Sequence, residues 1–118
     1  MLYNICEETG KLALVDSKKD KDKITSLLAF YESIYYLLNK NVISFNTVNN
    51  SFGYNFFSLV HHEYVQKSEL ANYGEYYKTI FKLHKIWAEY RKSKGQKIVG
   101  QNNSLEKLDD YEILTSKK

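Results

Sequence analysis

Proline is absent from this sequence of 118 residues, and cysteine occurs once. Without proline the commonest helix breaker and linker marker is missing, so element boundaries fall to Gly, Asn and Ser. The lone Cys6 excludes an internal bridge, and with it the disulfide framework of a small secreted domain. The sequons Asn49-Asn50-Ser51 and Asn102-Asn103-Ser104 are accordingly read as incidental. Setting tyrosine aside, no apolar run exceeds four residues, as in Leu27 to Phe30, far short of the ~20 that cross a bilayer. The N-terminus lacks the basic start and apolar stretch of a secretion signal, so a cytoplasmic location and no membrane partner are expected. Arginine is scarce as well, Arg91 standing alone among 17 basic residues. With abundant Asn, Lys, Tyr, Ile and Phe, that bias reflects A/T-rich codons and points to a low-GC bacterium or its phage.

What is present suffices for one core. At 43% apolar residues, a chain of this length buries a single hydrophobic interior without metals or bridges. No repeat or low-complexity tract divides it. The spacing predicts a mainly α protein, a compact bundle of about four helices forming one domain over 1–95, with a C-terminal tail over 96–118. Leu2 to Cys6 and Lys11 to Val15 flank Gly10 as a short N-terminal hairpin would, and the alternating charges of 16–23 read as a solvated linker or a frayed helix start.

From Ile24 the pattern is helical: Ile24, Leu27, Leu28, Tyr31, Ile34, Tyr35 and Leu38 share one face, and Phe30 and Leu37 widen it to about half the circumference. Asn39-Lys40-Asn41 closes this central helix. Ser44 can cap a short helix carrying Phe45, Val48 and Phe52, with Gly53 as its stop. Tyr54 to Gln66 forms a further helix with Phe56, Phe57, Val60 and Tyr64 on one side, and Lys67 to Gly74 the next break. The last strong helix is expected from Glu75 to Lys94, with Tyr77, Ile80, Phe81, His84, Trp87 and Ala88 on its apolar face and Gly95 as its stop. Leu105, Leu108, Tyr111, Ile113 and Leu114 could dock a helical turn of the tail.

Several of these segments carry a resemblance. Phe30-Tyr31-Glu32-Ser33-Ile34, Lys40-Asn41-Val42-Ile43, Ser51-Phe52-Gly53-Tyr54, Tyr76-Tyr77-Lys78 and His84-Lys85-Ile86-Trp87-Ala88 together span Leu28 to Arg91, about half the chain. That stretch resembles a bacterial and prophage-borne family of small helical domains of unknown function, often joined to a membrane helix in its members. The resemblance implies a helical fold and a mobile-element setting, without catalytic residues. No membrane helix accompanies the pattern here.

Catalytic constellations are missing from the spacing. His61-His62-Glu63 has no His-Glu-x-x-His or Glu-x-x-His companion, so it reads as half-exposed helix surface, and no metal site is expected. His84 sits on an apolar face, where a hydrogen-bonded core-edge histidine is the expected state. Cys6 has no announced base, and Gly10-Lys11 lacks the glycine-rich loop of a phosphate site. The expectation is a protein that is not an enzyme and takes no cofactor.

Two binding chemistries have residues behind them. From Glu75 to Lys97 seven basic residues face two acidic ones, a local charge of +5 in a chain of +3. Lys78, Lys82, Lys85, Lys92, Lys94 and Lys97 would carry an electrostatic nucleic-acid interface. Against it stand the scarcity of arginine, whose fork reads bases, and the missing helix-turn-helix signature. The tyrosines are the stronger signal. Eleven of them raise the aromatic share to 15%, and Tyr35, Tyr36, Tyr54, Tyr73, Tyr76, Tyr77 and Tyr90 exceed what one small core holds. Tyrosine combines apolar area with a hydrogen-bonding tip and is enriched at protein interfaces. Tyr36, Tyr73, Tyr76 and Tyr90 are therefore the expected aromatic surface for a protein partner, with a self-complementary homo-oligomer as a third reading.

Overall fold

The computed structural model describes residues 21–98, 104–108 and 111–115. The hairpin expected over 1–15 and the linker residues up to 20 lie outside them. Among the described residues all regular structure is helical.

Helix α1 spans Lys21–Asn39, so of the two readings of the charged run, residues 21–23 take the helix start. Asp22 lies in its first turn, where a carboxylate favours the positive end of the helix dipole, and the Thr25 hydroxyl donates to the Asp22 carbonyl at 3.0 Å. Ile24, Leu28, Tyr31 and Ile34 are its buried face. Asn41 takes φ 58°, and the Val42 amide reaches back to the Leu37 carbonyl at 2.9 Å, the left-handed closure expected of this asparagine.

Helix α2 spans Phe45–Val60, with Ser44 Oγ accepting from the Thr47 amide at 3.2 Å as an N-cap. The stop expected at Gly53 is not there, and one helix replaces two. Gly53 serves a close approach instead. A Cβ built on it would lie 2.7 Å from Arg91 Nη1 and 2.9 Å from Asn49 Oδ1. Helix α2 ends later, at His61 and His62, which splits the helix expected over Tyr54–Gln66. The Gln66 side chain donates to the Val60 carbonyl at 2.9 Å, and His62 Nδ1 accepts from the Tyr64 amide at 3.1 Å. A short α3, Glu63–Val65, then runs into a π-helical turn, Gln66–Leu70, closed by the Ala71 amide on the Gln66 carbonyl at 2.7 Å.

Helix α4 spans Lys78–Ser93, starting three residues after the expected Glu75, with the buried Tyr77 as the residue that precedes it. Arg91 and Lys92 occupy its last turn, and Gly95 stops it at φ 70° while the Gln96 amide bonds the Arg91 carbonyl at 2.8 Å. Helix α1 packs along α4. Trp87 is the centre of the core: its ring stacks on Phe56 at 4.6 Å and meets Phe57, Phe45 and Tyr31 edge-on. Its Nε1 donates to Asn49 Oδ1 at 2.9 Å, an oxygen that also accepts from Arg91 Nη1 at 2.9 Å. Further along the chain a 3-10 turn, Ser104–Lys107, contacts a short α5, Tyr111–Leu114, which packs against α4. Leu105, Tyr111 and Leu114 are buried there, so the core extends beyond residue 95. No described helix is long and apolar enough to cross a membrane.

Gly53 and Asn49 generate an expected outcome with opposite sign to helix propensity. In an open helix, Gly→Ala gains about 1 kcal/mol. Here the added methyl meets a guanidinium already held by Asn49 and by the Lys97 carbonyl at 2.8 Å. Gly53→Ala should therefore lower the urea midpoint. In an Arg91→Ala, Asn49→Ala background the same change should be neutral or stabilising.

Candidate binding pocket

The π-helical turn decides the position of one carboxylate. Such turns insert a residue into the helical ladder and rotate the side chains that follow, a distortion common at functional sites. Here Glu69 is turned inward and buried. A buried carboxylate must be paired, and the Tyr77 hydroxyl donates to Glu69 Oε1 at 2.8 Å, while Lys21 Nζ stands 3.7 Å from Oε2. Burial first, then the adjacent Glu69 carboxylate, push the Tyr77 phenol far above its ordinary value, so it remains a donor across the physiological range.

Around this pair lies a cavity of about 470 Å³, lined from α1 by Lys21, Thr25, Ala29 and Glu32, and from the other side by Glu69, Tyr73, Tyr76 and Tyr77. The α1 residues are one stripe at three-four spacing, within about 80° of one another and flanking the core face. Ala29, with its single methyl, leaves the middle of that stripe open. Tyr73 is 49% and Tyr76 75% exposed, whereas Tyr77 is 3% exposed, so the pocket has a sealed floor and an aromatic rim. The Tyr76 and Tyr77 rings meet edge-on at 5.0 Å. Lys21 Nζ also lies 5.9 Å from the centre of the Tyr73 ring. Partial burial pushes the Glu32 carboxyl above its ordinary value, and no ion pair engages it among the described residues.

The four tyrosines expected as a binding surface are thus divided. Tyr73 and Tyr76 line the pocket, and Tyr36, 55% exposed, continues the α1 stripe one turn beyond Glu32. Tyr90 belongs elsewhere. It is half-buried, stacked on Phe45 at 5.0 Å and covered by Lys94 at 5.6 Å. The missed residues are Glu32, Glu69, Lys21 and Tyr77. The stripe Lys21, Thr25, Ala29, Glu32, Tyr36 was visible in the spacing, but Glu69 depends on the π turn, which no local pattern announces.

The other candidates sort differently. His84 is wholly buried, with Nδ1 2.8 Å from the Tyr111 hydroxyl and Nε2 3.1 Å from His61 Nε2. One of the two facing nitrogens carries the proton and the other accepts it. His61 was expected on a half-exposed surface. It is buried instead, because α2 ends at Val60 and the turn carries the ring inward to His84. Among the described residues no group of three His, Cys, Asp or Glu is placed to hold a metal. Of the basic residues, Lys78 and Lys82 are half-buried, while Lys85, Lys92, Lys94 and Lys97 are exposed. Lys94 and Lys97 lie past the end of α4, so the six do not form one helical stripe.

No protein-family model matches the chain, and neither the curated proteins nor the solved structures give a match.

The raised Glu32 carboxyl has a stability consequence of definite sign. Its folded-state value lies above the ordinary 4.5, so the folded chain holds this proton more tightly than the unfolded chain does. That contribution is complete below about pH 4 and is lost as the pH rises through the folded value. Glu32→Gln should therefore unfold at a higher urea concentration than the parent at pH 7, with the difference vanishing below pH 4.

Proposed function

We propose that the protein is a non-catalytic interaction module that binds another protein through the tyrosine-rimmed pocket between α1 and the turn preceding α4. The observation that carries this reading is the aromatic rim: Tyr73 and Tyr76 hold large apolar rings in solvent around a formed depression, with exposed Tyr36 one turn further along α1. Exposed aromatics lose little entropy on binding, and they dominate the energetics of protein interfaces. At about 470 Å³ the cavity falls within the range of pockets that seat a side chain or small ligand. The remaining helices form the frame, which we read as a bundle of about four, with Trp87 at its centre.

The setting we infer is cytoplasmic, in a phage or mobile-element protein that inhibits or redirects a host protein. The supports are the resemblance of Leu28 to Arg91 to prophage-borne helical domains and the A/T-rich residue usage. Electrostatic nucleic-acid binding is the second reading. Exposed Lys85, Lys92, Lys94 and Lys97, with no ion pair among the described residues, favour it, and its mark is a steep loss of affinity with salt.

Affinity capture from a lysate of the encoding organism, with and without nuclease and at two salt concentrations, tests these readings. A protein retained through nuclease and high salt is expected. Tyr76→Ser should weaken that capture by roughly thirtyfold or more, the loss typical of an interface hot spot, without shifting thermal unfolding. Capture that disappears with nuclease, or is indifferent to Tyr76→Ser, contradicts the proposal.

A further inference from the structure

The chemistry of the pocket narrows what its occupant can be, provided that the pocket is the partner-binding site proposed above. Its walls carry two carboxylates, Glu32 and Glu69, its floor the buried Tyr77 phenol and its rim the Tyr73 and Tyr76 rings. Aromatic faces present negative potential, as carboxylates do, so both kinds of wall favour a cation. Glu69 is already bonded by Tyr77, but Glu32 has no counter-charge among the described residues and is held partly out of water. A carboxylate placed in that way lowers its free energy when a cation arrives.

The chain itself supplies a second, independent observation. Lys21 brings an ammonium to the edge of this cavity, 3.7 Å from Glu69 Oε2 and 5.9 Å from the Tyr73 ring centre. The geometry is that of an ammonium recognised by a carboxylate and an aromatic face together. Yet the Lys21 side chain is 54% exposed and fills little of a 470 Å³ space. Glu32 and Ala29 line the same open space.

We propose that the pocket receives a lysine side chain of the partner protein, its ammonium set between Glu32 and the Tyr73 and Tyr76 rings, with Lys21 marking and partly competing for the site. The aliphatic stem of the incoming lysine lies along Ala29 and the phenol rings, and its charge replaces water at Glu32. Lysine is assigned over arginine on the precedent of Lys21, whose ammonium already stands between a carboxylate and a phenol ring at this pocket. Lys21 lowers the affinity by repulsion and by holding Glu69, so the site is tuned to release as well as bind.

Two-dimensional NMR titration of the full chain with N-acetyl-lysine methylamide tests this directly, with the arginine and norleucine methylamides and spermidine as comparisons. The lysine compound should shift the resonances of Glu32, Tyr73 and Tyr76 with a dissociation constant of roughly millimolar order, as expected of a small ligand. Norleucine, which keeps the stem and lacks the charge, should leave them unmoved. Glu32→Gln should abolish the shifts, and Lys21→Gln should tighten binding about 1.5- to 5-fold, the range of a partly exposed ion pair. Equal responses to lysine and norleucine, or undiminished lysine binding by Glu32→Gln, would overturn the proposal. Arginine or spermidine binding more tightly than lysine would overturn the assignment to a protein lysine. Partner capture that depends on Tyr76 but is unaffected by Glu32→Gln would sink this inference while leaving the interaction reading intact.

Discussion

A carboxylate buried at Glu69 has to be paired, and its pairing shapes the molecule on one side. The Tyr77 hydroxyl, from the residue just before α4, bonds it at 2.8 Å. Lys21 approaches from the first turn of α1 and ties the beginning of that helix to the π turn. Leaving such a group unpaired costs several kcal/mol, enough to consume much of the ~5–15 kcal/mol that holds a domain folded. The pocket is a by-product of that constraint. Once Glu69 is turned inward, the residues that follow it, Tyr73 and Tyr76, are presented outward beside the α1 stripe.

On the opposite side the frame depends on another shared polar atom. Asn49 Oδ1 accepts from Trp87 and from Arg91, while its amide donates to Gln96 Oε1 at 2.8 Å. These bonds join α2, α4 and the chain beyond Gly95 around the largest side chain of the core. The His61, His84 and Tyr111 chain does the same for α2, α4 and α5. Both networks are satisfied within the chain, whereas the Glu32 carboxyl of the pocket is partly buried with no ion pair among the described residues. That asymmetry separates residues that hold the fold from residues available to a partner.

How much of this was legible depended on whether a residue answers to its neighbours in sequence or in space. Asn41 in a left-handed turn, Ser44 as a cap and Gly95 as a stop are local backbone chemistry, and the structure has them where the spacing placed them. Gly53 was misread because its reason is Arg91, a residue 38 positions away that no local window contains. His61 was misread for the same reason, its partner His84 lying 23 positions further on, in α4. Of the expected aromatic surface, Tyr73, Tyr76 and Tyr36 stand exposed, while Tyr90 packs on Phe45. The acidic part of the pocket was illegible, since Glu69 gains its role only through a π turn and a tyrosine eight residues later.

Hydrogen exchange of the protein with and without its captured partner is the most direct measurement of the central claim, that the pocket face is where binding occurs. Added protection should be confined to α1 between residues 21 and 36 and to residues 69–77, with α2 unchanged. Protection that instead follows residues 85–97, leaving the pocket segments exchanging as in the free protein, would contradict it.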